Sequence, residues 1–285
     1  MKTLPKPLLD IKVEDIYAEC VQDFSNKQKR EKLLSCKDLI TNDSNQYDNF
    51  VPHTLESFSV SELPPDVSKD DLTSVYTQKF AVKDSPGRKY YDAIIGQAIR
   101  GICPICGIRP ANTMDHYLPK SKVPTLSVTP NNLIPACRDC NTDKRADITY
   151  DATNTPVHLY FDTVPNDPWL FVELDDNLSA TYYTHCPDTW NSGLRSRVEK
   201  HLTFYNLHKL YSIHAGEEIA DKLGMWKNLI DYGGIDMLRL AIEAECKSIE
   251  QNDINSWKAA LYRGLISDFE KLKAYFFNQG IGVTN

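Results

Sequence analysis

The chain has 285 residues, 41% of them hydrophobic, 25% charged and 10% aromatic, with 12 Gly, 16 Pro and a net charge of −7. These proportions exclude a disordered, collagenous or low-complexity chain. The acidic balance also argues against nucleic-acid binding spread over the whole surface, which would leave a basic footprint. At this length one large domain or two small ones are expected. No stretch approaches the roughly 18 uncharged apolar residues that a membrane-spanning helix needs. The N-terminus carries Lys2, Pro5, Lys6 and Pro7 with no apolar run behind them, so it does not read as a secretory signal. The expectation is a soluble cytoplasmic protein without membrane contact.

In chain order, Val13, Ile16, Tyr17, Cys20, Val21 and Phe24 fall at steps of three and four, which predicts a helix continuing in broken form to Ile40. The polar run Thr41 to Asn49 and the stretch Ser61 to Asp71, with Pro64-Pro65, predict loops. Asp84-Ser85-Pro86 is a helix-start signal, and that helix should end at Gly101. Ala111 to Pro119 reads as a short strand with Leu126 to Val128 as its partner, and Asn141 to Ala146 as the start of a short helix. Strands are expected at Trp169–Leu174 and Ala180–Thr184, and helices from Ser192 onward. There, Ile219, Leu223, Trp226 and Ile230 share one face, as do Trp257, Leu261, Leu265 and Phe269. The predicted class is α+β: a mainly helical chain with a small embedded ββα unit. The predicted regions are 1–83 (helical), 84–150 (the unit with the cysteines) and 151–285 (mixed, then helical).

Four of the eight cysteines, Cys20, Cys36, Cys186 and Cys246, are scattered singly and read as reduced thiols. The other four form Cys103-Pro-Ile-Cys106 and Cys137-Arg-Asp-Cys140. Two thiolates spaced by two residues can face one ion from a tight turn, and two such knuckles complete a tetrahedral shell for structural Zn2+. The competing account, disulfides or a redox pair, lacks the surrounding βαβ pattern and the oxidising compartment. Positive charge gathers in the same place. Between Arg100 and Ala146 seven basic residues stand against three acidic ones, giving +4 and leaving −11 for the remainder.

Between the knuckles runs Met114-Asp115-His116-Tyr117-Leu118-Pro119-Lys120-Ser121-Lys122, followed by Asn131-Asn132-Leu133-Ile134-Pro135 and, after the second knuckle, Asn141-Thr142-Asp143-Lys144-Arg145. Adjacent strand residues point to opposite faces, so Asp115 and His116 should act on different partners. Phosphodiester hydrolysis needs an activated water and a cation to stabilise charge on phosphate. A neutral histidine suits the first task; a carboxylate, helped by the Asn141 amide oxygen, suits a hard divalent ion for the second. Lys144, Arg145, Lys120 and Lys122 are candidate phosphate contacts. The zinc would clamp the two knuckles so that Asp115, His116 and Asn141 stay in register.

The order CxxC, Asp-His-x-x-Pro, Asn-Leu-Ile-Pro, CxxC-Asn-x-x-Lys, over about Ile102 to Arg145, resembles an HNH endonuclease of the ββα-metal type. The resemblance implies His116 as general base, Asp115 as a ligand of the catalytic ion, and Asn132 as the residue ordering the loop and the base. Asn141 fills a final position that is His in some members and Asn in others, which favours Mg2+ or Mn2+. The flanking Lys89-Tyr90-Tyr91, His158-Leu159-Tyr160-Phe161-Asp162 and Trp169-Leu170 are similar to HNH proteins found beside an ABC-type ATPase in Septu-like and retron-associated anti-phage systems. That similarity implies a partner ATPase and a role in defence. The substrate would be DNA, or structured RNA such as tRNA. The rival expectation from another class is a zinc-ribbon binding module that docks a protein or nucleic acid without chemistry. His158 is expected to be either structural or part of the substrate groove.

Overall fold

Short helices open the chain where its apolar residues recur at helical spacing. In the computed structural model, which describes residues 1–7, 12–143 and 155–278, α1 (Val13–Gln22) buries Ile16, Tyr17, Cys20 and Val21 on one face. Asn26 caps α2 (Lys27–Leu34) by accepting the Lys29 amide at 2.9 Å. The broken helix expected to Ile40 is thus three helices, the third being α3 (Lys37–Phe50).

α3 runs through Thr41 to Asn49, where a loop was expected. The polar residues are tolerated because one face of the helix spends them on partners far along the chain. Asp43, fully buried, accepts from Thr125 Oγ1 at 2.6 Å and from the Ser61 amide at 3.3 Å, and it also binds the Ser61 hydroxyl. Ser44 Oγ lies 2.6 Å from Thr129 Oγ1, and Asp48 accepts from Asn131 Nδ2 at 2.7 Å. Positions 43, 44 and 48 share a face at helical spacing, so the helix presents a polar clamp.

After a loop through Pro64-Pro65, Ser68 and Asp71 form a reciprocal capping box that starts α4 (Lys69–Val75). The helix continues into a π-turn over Tyr76–Phe80, closed by the Ala81 amide on the Tyr76 carbonyl at 2.9 Å. α5 (Arg88–Ile95) begins just after Asp84-Ser85-Pro86, and the chain reaches Gly101 through a 3-10 turn. Strands β1 (Thr113–His116) and β2 (Leu133–Ala136) pair antiparallel, Thr113 with Ala136 and His116 with Leu133. The partner of β1 is therefore not Leu126 to Val128. Leu126 closes a 3-10 turn, while the wholly buried run Leu133 to Ala136 takes the strand position. α6 (Arg138–Asp143) starts inside the second knuckle, three residues ahead of expectation.

The chain divides into two compact units, 1–163 and 164–285. The expected regions 1–83 and 84–150 lie together in the first, because Met114, Val128 and Leu133 share one core with Ile16, Leu72 and Phe80 of the helical segment. In the second unit, β3 (Leu170–Leu174) and β4 (Ala180–Thr184) form a hairpin close to the expected bounds, with Leu170 opposite Thr184. α7 (Ser192–Phe204) is capped by Asn191. α8 (Leu207–Glu250) is two helical runs joined at Gly234, whose φ of 73° suits glycine. α9 (Trp257–Ser267) and α10 (Phe269–Asn278) follow. Gly264 of α9 meets the hairpin so closely that a Cβ would sit 2.1 Å from Val172 Cγ1.

Replacing Asp43 by Ala removes an acceptor shared by Ser61 and Thr125 in a dry interior. The expected loss is about 3 kcal/mol in urea unfolding, since buried partners of a charged group are left unpaired. A loss within error of zero would contradict the clamp.

Candidate functional site

The site begins at the cysteines. Gly107, at φ 70°, turns the chain back after the first pair, and its amide bonds the Cys103 carbonyl at 2.8 Å. The Cys103 amide bonds the Arg109 carbonyl at 2.8 Å, closing the first knuckle. Pairing of Thr113 with Ala136 carries Cys137 to the same end of the sheet, and the Cys140 amide reaches back to Cys137 Sγ at 3.4 Å. Arg109 Nε and Asp139 form a 3.1 Å ion pair between the first knuckle and α6.

All four sulfurs are buried and lie within 4.8 Å of one another, with Cys106 and Cys137 at 4.0 Å. A tetrahedral Zn2+ with Zn–S bonds of roughly 2.3 Å needs sulfurs about 3.8 Å apart, so the donor set fits. Hydrogen bonding from Cys103 holds the Cys106 thiol low and brings Cys137 down to about 7. The same proton sharing pushes Cys140 and Cys103 up. Four thiols competing for protons in this way suit a dication, which lets all four ionise. Cys20, Cys36 and Cys246 are buried singly and Cys186 is half-buried, and none forms a disulfide.

β1 then delivers Asp115 and His116, 3% and 6% exposed, to one groove of about 410 Å³. Strand alternation predicted opposite destinations. His116 is the last strand residue, and both residues line the same cavity. His116 Nε2 donates to the Ser127 carbonyl at 2.9 Å. A neutral ring held in this way carries its lone pair on Nδ1. The ring also packs edge-to-face against Tyr76, with centroids 4.4 Å apart.

Asn132, fully buried, does not reach the groove. Its Oδ1 accepts the Leu118 amide at 2.7 Å, and its Nδ2 donates to the carbonyls of Leu118 and Leu126 at 3.1 and 3.2 Å. It staples the two ends of the loop that follows His116. Asn141 lines the groove, with its Nδ2 3.5 Å from Thr113 Oγ1, which leaves the amide oxygen for a cation.

Lys120 also lines the groove. Its ammonium lies 5.3 Å from the Tyr76 ring centre, and burial lowers its pKa while Asp115 opposes the shift. Lys122 is exposed and is not among the lining residues. Lys144 and Arg145 lie outside the described residues. His158 sits in the core rather than the groove. Its Nε2 is 2.7 Å from the Tyr47 hydroxyl, its Nδ1 accepts the Tyr160 amide at 3.2 Å, and the Tyr117 ring packs on it, tilted, at 4.1 Å between centroids.

Three residues of the groove come from α4: Lys69, Asp70 and Thr73. They stand more than forty positions before Asp115, in a stretch that ends the predicted loop. The Ser68–Asp71 capping box was the signal that a helix starts there.

With this geometry in place, comparison defines the class of the site: residues 103–147 match the family described as HNH endonuclease. The match supports a nuclease at the level of that family. Over 274 residues, 90% of each chain, the sequence is 26% identical to Protein ea31 of Escherichia phage lambda. No solved structure matches the chain. Among the described residues, no helix is long and apolar enough to cross a membrane.

Replacing Cys103 or Cys140 by Ser should cost bound zinc and stability together. Structural zinc sites carry binding free energies on the order of 10 kcal/mol, and here that energy is folding energy. Metal analysis and thermal melting check this; a variant with full zinc content and unchanged melting would refute the four-sulfur shell.

Proposed function

We propose that this chain is a divalent-metal-dependent endonuclease that hydrolyses phosphodiester bonds in nucleic acid. The observation that carries the reading is the opening of Asp115, His116 and Asn141 onto one groove, directly beside a four-sulfur cluster. His116, with Nε2–H bonded to the Ser127 carbonyl, takes a proton from water at Nδ1, and the water attacks phosphorus in line. Asp115 and Asn141 offer the oxygen ligands for Mg2+ or Mn2+, which when bound supplies charge stabilisation at the scissile phosphate and the leaving 3′ oxygen. Lys120, on the same wall, offers a phosphate contact. Asn132 acts through the loop, keeping Ser127 where His116 needs it.

The substrate is read by its backbone, because the groove presents charged and hydroxyl groups that suit phosphate and ribose rather than base edges. DNA and structured RNA such as tRNA both meet that requirement. A binding module without chemistry would account for the sulfur cluster, but it has no use for an imidazole and a carboxylate converging on one groove.

The wider setting, delivery by a partner ATPase in an anti-phage system, is supported by the resemblance of the flanking motifs. It is supported also by the −11 carried outside the basic segment, which disfavours unaided binding to a polyanion.

Plasmid and total RNA, each with Mg2+ and with EDTA, form the assay. Replacing His116 by Ala should slow cleavage roughly 10²–10⁴-fold, the range for a general base, with zinc content retained and the protein still folded. Full activity in that variant would end the proposed role. Purification from the native host should bring an ATPase with the chain; a chain that travels alone and binds duplex tightly contradicts the partner.

A further inference from the structure

Nε2 of His116 donates to the Ser127 carbonyl. A general base whose ring turns loses its line to the attacking water. A packing contact on the ring restrains that turn. The structure supplies it from outside the matched residues 103–147: the Tyr76 ring meets His116 at 4.4 Å between centroids and 70° between planes, and both residues are buried.

Tyr76 is itself held firmly. It opens the π-turn, and its ring stacks on Phe80 at 5.6 Å and 23°. π-turns are rare and recur at functional sites, where one extra residue re-aims a side chain. One turn earlier on the same segment, the Leu72 carbonyl accepts Ser127 Oγ at 3.3 Å. These two contacts with the imidazole therefore trace to the α4–π-turn segment: Tyr76 directly, and the Ser127 carbonyl through Leu72. Lys120 lies over the same Tyr76 ring, so base and phosphate contact share one support.

We propose that Tyr76 is a positioning residue for His116, holding the imidazole plane in the orientation that presents Nδ1 to the groove. This rests on the nuclease reading above. The aromatic ring is what matters, so Phe should substitute and an aliphatic side chain should not.

The test compares wild type, Tyr76→Phe and Tyr76→Leu in single-turnover and steady-state cleavage, together with 15N-1H correlation of the His116 ring in alkaline buffer. Tyr76→Phe should keep wild-type kcat. Tyr76→Leu should lose about 10²-fold in kcat with KM unchanged, the cost of a misplaced reacting group. Wild type and Tyr76→Phe should show one Nε2–H tautomer with upfield ring-current shifts on the His116 ring protons. Tyr76→Leu should lose those shifts and show mixed tautomers.

Wild-type kcat in Tyr76→Leu, or averaged tautomers in the wild type, would overturn the proposal. The wild-type and Tyr76→Phe spectra decide it even where Tyr76→Leu does not fold. A wild type that cleaves neither DNA nor RNA removes the nuclease reading alone, because the ring spectra still report whether Tyr76 orients His116.

Discussion

Everything at the site depends on four sulfurs brought together at one end of two very short strands. β1 and β2 have four residues each, and an isolated two-stranded ribbon of that length is marginal in water. The cluster closes the ribbon at Cys137, beside the Thr113–Ala136 pair, and fixes where α6 leaves it. Asn141 follows Cys140 directly, so the cluster sets its distance from Asp115 across the sheet. A dication bound here would do the work that apolar area does in a larger unit: binding only the folded arrangement, it would add its affinity to folding.

The loop between the strands is the second constraint. Residues 117 to 132 have no strand of their own, and a loop of that length in a compact body needs anchors. Asn132 ties it from within, at Leu118 and Leu126. The polar face of α3 ties it from without, through Asp43 to Thr125, Ser44 to Thr129 and Asp48 to Asn131. Behind it, Tyr117 donates to the Pro156 carbonyl and Tyr160 to the Leu133 carbonyl, so the His158 to Asp162 run serves as a backing layer. Satisfied buried polar bonds of this kind specify a register more than they add net stability. The register they specify includes the Ser127 carbonyl on which His116 depends.

What the sequence disclosed follows from where each signal is local. The CxxC pairs were legible because metal-ligand chemistry dictates residue type and spacing within a few positions. The hairpin β3–β4 was legible because its apolar residues alternate between turn signals. α3 was hidden because its polar residues look like a loop until Thr125 and Thr129 are placed beside them, more than eighty positions away. β2 was hidden by Pro135, which argues against a central strand. In a two-stranded sheet each strand is an edge, and Pro is tolerated there. Lys69, Asp70 and Thr73 carried no chemical signal at all. Only packing brings them to the groove, and packing over that separation has no period to read.

This separates two levels of likeness. The family match is confined to 103–147, the stretch that holds the four sulfurs and Asp115, His116 and Asn141. The likeness to Protein ea31 runs along 90% of both chains and therefore includes the positions of α3 and α4. Those helices share one core with β1 and β2, so the short segment cannot be lifted out without exposing Met114, Val128 and Leu133. The matched segment therefore holds Asp115, His116 and Asn141, while Lys69, Asp70 and Thr73 of the groove wall belong to the helix before it. Proteins sharing only the segment would share the residues to which the proposed reaction is assigned. How the imidazole is held, and which backbone shape enters beside Lys69 and Thr73, would be free to differ.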